Sequence, residues 1–138
     1  MIAMENLSYA VVQVVHNFGA VAVVGGAAFA LYLETATTTL HRKLAWLVGF
    51  GWAAQAISGM SFAVVSYHYY DKLPDIHGIA MAALLIKMFC AIFGVSIVII
   101  YLRYSANFAI ERRHLAWRLL AALGITALTA AAFLRWFS

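Results

Sequence analysis

Four apolar runs, each longer than 20 residues and separated by short polar connections, constrain this chain more than any other feature. A helix needs about 20 apolar residues to cross the hydrocarbon of a bilayer. The runs cover 7–33, 44–68, 76–102 and 115–137. None reads as a strand series, because each is too long and the one proline, Pro74, falls between two of them. The expected fold is therefore all-α: a single transmembrane domain over 1–138, built as a four-helix up-down bundle whose short connections make consecutive helices antiparallel neighbours.

Composition enters as a test of that reading. Hydrophobic residues make up 66% of the 138 and charged residues 10%, too little polar surface to cover a soluble domain. The net charge of +4 first suggests nucleic acid, but the cations sit at the ends of apolar runs, where topology signals belong. No nucleic-acid partner is expected; the lipid bilayer is. The N-terminus has no basic segment and the run after it is too long for a signal-peptide core, so it should remain as a helix. The single Cys90 excludes an intrachain disulfide.

Lysine and arginine set the expected orientation. Arg42, Lys43, Arg103, Arg112, Arg113 and Arg118 flank the first and third connections, and only Lys72 and Arg135 lie on the other side. The positive-inside rule then puts both termini and the second connection on the non-cytoplasmic side. A bacterial inner membrane is the expected location. Tyr9, Tyr67, Tyr69, Tyr70 and Trp136 form one aromatic belt, and Tyr32, Trp46, Tyr101, Tyr104 and Trp117 the other.

Counting about 20 residues, at about 1.5 Å each, outward from the cytoplasmic ends places His16 just below the outer boundary. The same count puts His68 and His77 at or above it, Lys87 some turns below, and Arg135 near the same level. Helical phase agrees. His68 extends a stripe of Gly51, Ala54, Ser58 and Ser61; Lys87 shares one with Ala80, Ala83, Ala91 and Gly94; His16 sits with Gly19, Gly26 and Ala30; Arg135 follows Gly124 and Ala131. Small residues mark faces where membrane helices approach closely, so these polar groups are expected to point inward. Ionisable groups within a membrane are functional by default, yet each has a plainer reading: a snorkelling Lys87, a packing His16, solvated His68 and His77. His41 and His114 read as solvated topology residues, Gln55 as a bridge between helices, and Gly25-Gly26 as a packing device.

Two imidazoles facing each other across a porphyrin are how helical bundles hold haem b. His16 is the expected first axial ligand and His77 or His68 the second, with Lys87 and Arg135 for the propionates or a quinone. Electron transfer between quinol and a periplasmic-side acceptor follows, and any enzymatic activity would be that of a membrane oxidoreductase. The alternative is copper handling by His16, His68 and His77 with Met60 and Met81, since thioether and imidazole suit Cu(I); methionine is also an ordinary gap-filler. A third reading is an accessory subunit of a respiratory complex, or a homo-oligomer, packed through the small-residue faces. No nucleophile beside a base, no paired carboxylates and no phosphate-cradling loop support hydrolytic chemistry.

His16 followed by Gly25-Gly26, the Ser58-Gly59-Met60 step and Leu85-Ile86-Lys87-Met88 resemble a group of small bacterial membrane proteins. That group includes the copper-resistance D-type domain and the HemJ-type protoporphyrinogen oxidase. The resemblance implies a four- or five-helix haem-associated bundle with His16 and Lys87 at functional positions. HemJ-type proteins carry a Trp-Phe-Ala-Gly-Leu-Phe-Tyr-like segment where this chain has Val23 to Phe29, and a histidine where it has Leu85. Those departures rank protoporphyrinogen oxidation below the general haem-b reading.

Overall fold

The computed structural model describes residues 2–33 and 37–138, and the expected end of the first run at Glu34 lies outside them. Four helices account for most of that chain: α1 (Ile2–Tyr32), α2 (Thr38–Tyr70), α3 (Gly78–Tyr104) and α4 (Ile110–Phe137). A 3-10 turn over Ser105–Asn107 joins α3 to α4. All four are long and apolar enough to cross a membrane, and no strand occurs among the described residues.

The helices begin earlier than the apolar runs. α2 starts at Thr38, where the Thr37 hydroxyl accepts from the Leu40 amide at 3.3 Å, so His41, Arg42 and Lys43 occupy its first turns. α4 likewise begins at Ile110 and carries Arg112 and Arg113. Hydropathy locates the stretch that suits hydrocarbon, whereas capping decides where the backbone turns. α3 starts two residues late, because His77 is extended and Gly78 takes a positive φ of 51°. The α2–α3 connection opens on Asp71 in the left-handed region, its amide donating to the Tyr67 carbonyl at 2.9 Å.

Consecutive helices are antiparallel, and α1 also packs on α4, closing a ring of four. The connections bring Arg42, Lys43, Arg103, Arg112, Arg113 and Arg118 to one end, called here the basic end. Backbone approach is closest where glycines meet. A methyl group built on Gly19 falls 3.1 Å from the Gly51 carbonyl oxygen, so α1 and α2 touch main chain to main chain. One built on Gly94 of α3 falls 2.5 Å from Trp52 Cε2 and Nε1, because the indole lies flat into that space.

The core is densest in the basic half, where Trp52, Trp117, Tyr101, Leu120 and Val48 are fully buried. Tyr101 and Trp117 meet edge to face, with ring centroids 5.2 Å apart. Elsewhere the packing is inverted relative to a water-soluble bundle. Alanines and glycines fill the inside, while Phe18, Phe50, Val64, Ile92 and Ile125 stand on the outside. Such a continuous bulky apolar exterior suits hydrocarbon.

Candidate functional site

His16, Ser58 and Lys87 come from three helices and meet inside the ring. His16 Nδ1 lies 2.7 Å from Ser58 Oγ, and His16 Nε2 lies 2.8 Å from Lys87 Nζ. The level is consistent across the three helices. From the basic end, His16 stands 17 residues beyond Leu33, Ser58 16 beyond Arg42, and Lys87 16 before Arg103. At 1.5 Å per residue each path is about 24–26 Å. In hydrocarbon of about 30 Å measured from that end, the site would sit a turn below the far boundary.

The proton inventory fixes the histidine's tautomer. Ser58 Oγ has one proton, and it donates it to the Ala54 carbonyl one turn back on α2. The hydroxyl must therefore accept from His16, so Nδ1 carries the proton. Nε2 is left with a lone pair, which accepts from the Lys87 ammonium. Gln55 Nε2 donates to the His16 backbone carbonyl, holding α1 against α2 at the same level. Phe62 presents its ring to the imidazole, centroids 5.6 Å apart at 72°, and Tyr9 stacks on Phe62 at 6.4 Å. The imidazole is thus held by hydrogen bonds on two sides and an aromatic ring on a third.

Lys87 is half-buried, and no carboxylate meets it among the described residues. The nearest acid along α1, Glu5, is eleven residues farther out and is bonded by the Tyr70 hydroxyl. An ammonium in apolar surroundings whose one partner is a neutral imidazole is an incomplete arrangement. It attracts an anion or another electron-pair donor.

The other expected site residues do not join this group. His68 is ten residues beyond Ser58 on α2 and His77 ten before Lys87 on α3, each about 15 Å farther out. His68 is exposed, its ring against the adjacent Tyr69 with centroids 4.9 Å apart. His77 is 80% exposed and pairs with Asp75 at 2.6 Å. Neither comes to the level of His16, so the structure does not bring the expected two imidazoles together. The stripe that suggested it runs along α2 correctly at Ser58, but a shared face does not bring residues ten apart to a shared level.

Arg135 is exposed on α4. Gly124 packs on Val23, and counting outward from that contact leaves Arg135 about one turn beyond His16. Met60 is 64% exposed and Met81 42%. Met60 lies two residues, roughly 200° of helix, from the inward-facing Ser58 and so points away from the site. Among the described residues no three His, Cys, Asp or Glu side chains gather as a metal-binding group. The copper ligand set is therefore not assembled in this arrangement.

Gln55 bridges helices as its sequence reading expected, whereas the role of Ser58 was missed. Ser58 counted as one small residue among several, although its position 16 residues from Arg42 matches that of Lys87 from Arg103. His41, expected to be solvated, instead places Nε2 3.2 Å from the Ala30 carbonyl and its ring 5.9 Å from Trp117. Comparison with family models, curated proteins and solved structures finds no match to this chain.

Proposed function

We propose that this is a multi-pass protein of the bacterial inner membrane, with both termini on the non-cytoplasmic side, that binds haem b through His16 and serves electron transfer between quinol and a non-cytoplasmic acceptor. One observation carries the reading: an inward imidazole whose Nδ1 proton is committed to Ser58, so that Nε2 offers its lone pair inside the ring. An axial histidine needs that tautomer, with the outer nitrogen held by a hydrogen bond that also fixes the ring plane.

His16 is the one imidazole at this level among the described residues, so the reading is of a single-histidine site. His16 would hold the iron, and the haem would supply one-electron chemistry. With the group bound, Lys87 would give up Nε2 and its ammonium would be free to hold a propionate, and Arg135, one turn farther out, would be a second cation for such a group. Ser58 keeps the imidazole from turning, and Phe62, backed by Tyr9, packs against one side of its ring.

Protein purified from haem-replete cells should show a Soret band, lost in His16→Ala and retained in His68→Ala and His77→Ala. A colourless preparation, or one whose band survives His16→Ala, overturns the proposal. Stoichiometric copper without haem would favour the copper reading instead.

A further inference from the structure

Two surface grooves among the described residues differ in chemistry. The larger, 710 Å3 between α1 and α2, is lined by Phe18, Gly19, Gly26, Leu47, Gly51 and other apolar residues, and includes no charged group. Nothing along it selects a ligand. The smaller, 270 Å3 between α3 and α4, has Ile97, Ile100, Leu115 and Leu119 as walls, and Tyr101 and Arg112 at its basic end. Apolar walls running about 10 Å from a cation have the shape and polarity of a phospholipid site.

The Arg112 guanidinium makes no hydrogen bond or ion pair among the described residues, although its backbone amide bonds the Ala109 carbonyl at 3.1 Å. Tyr101, 1% exposed, packs at the same end of the groove. The surrounding charge agrees: Arg42, Lys43, Arg103, Arg112, Arg113 and Arg118 share this end with Glu111.

We infer that the α3–α4 groove binds an anionic phospholipid, its phosphate on Arg112 at the basic end and one acyl chain along Ile97, Ile100, Leu115 and Leu119. The site rests on the membrane reading and is independent of haem. A zwitterionic lipid offers the same chain and phosphate but cancels the charge that six cations favour.

The test uses the full chain in mixed micelles, with phosphatidylglycerol, phosphatidylcholine or inorganic phosphate as probes, reading lipid retained per protein and thermal midpoint. Wild type should retain phosphatidylglycerol severalfold over phosphatidylcholine and gain midpoint only with the former. Arg112→Gln, an exposed change that leaves the core intact, should bring the ratio near one, while Arg112→Lys keeps most of it. Ala116→Phe, which fills the groove, should lower retention of both lipids. Equal retention of the two lipids by wild type, or a ratio unchanged in Arg112→Gln, overturns the site. A midpoint gain with inorganic phosphate equal to that with phosphatidylglycerol overturns the lipid and leaves an ion site. Protein absent from the membrane fraction defeats the membrane reading itself, whereas a membrane-inserted protein without the preference defeats only this inference.

Discussion

The two halves of the bundle are built on opposite terms. In the basic half, Trp52 lies against Gly94, Tyr101 meets Trp117, and Leu120 and Ala27 are sealed from the surface. Around His16 the helices are held by hydrogen bonds from Ser58, Gln55 and Lys87, and an uncompensated cation sits among apolar groups. The basic half is held by side-chain packing, with Trp52 Nε1, the Tyr101 hydroxyl and Trp117 Nε1 buried without partners among the described residues. The other half is held by hydrogen bonds and keeps a cation without a counter-charge, at some cost in stability. A protein that only needed to be a bundle would have an aliphatic residue at position 87.

If that contrast is sound, substitutions in the two halves should separate folding from binding. The largest effect is expected for Trp52→Ala, which empties the space in front of Gly94 and should destabilise by about 3–5 kcal/mol in a denaturing-detergent titration. Gly94→Val, which drives side-chain atoms into the indole, should cost about 1–3 kcal/mol or more. A loss below 1 kcal/mol in both would dissolve the contrast, since the basic half would then not be the structural anchor.

His16→Ala should cost about 1–3 kcal/mol, because it leaves Lys87 without its partner, and it should abolish the Soret band. Lys87→Met should restore much of that loss in the double variant, since the unpaired charge goes with it. Lys87→Met alone should be near neutral or stabilising. Additive effects of the two changes would show that the 2.8 Å contact carries no coupling.

Ser58→Ala removes the hydrogen bond that orients the imidazole, and a 10–100-fold loss of haem affinity is expected. Its direct cost in stability should be about 1 kcal/mol. Retention of full haem content and an unchanged reduction potential would contradict the tautomer assignment. The smallest effect belongs to His77→Ala, where an exposed imidazole pairs with an exposed Asp75. Stability should change by no more than about 0.5 kcal/mol, and the spectrum should not change. A lost or shifted Soret band there would return His77 to the ligand set.

Much of the fold was legible before any coordinates. Run length and apolarity are local properties, so four helices of spanning length could be read directly, although α1, α2 and α4 begin earlier than their apolar runs and α3 two residues later. Counting from the charged ends brought His16 and Lys87 to the same half of the bundle but on different levels, and the structure brings them into contact. Rotation about each helix axis could not. The difference between Ser58, which touches His16, and Met60, which faces outward, is two residues of phase within one uniformly apolar run. Small residues occur on several faces of these helices, so they mark close approach without saying which neighbour approaches.

By itself, then, the sequence determined that this chain forms four long apolar helices with its cations gathered at one end, because helix length and charge position follow from the order of residues alone. Only the tertiary structure decided which of five histidines meets Lys87, that Ser58 sets its tautomer, and that His68 and His77 stand exposed rather than inside the ring. The reason is geometric. A histidine's chemistry here depends on the register and rotation of three helices at once, and those are set by glycine contacts such as Gly19 on Gly51 and by Trp52 on Gly94, between residues far apart in the chain.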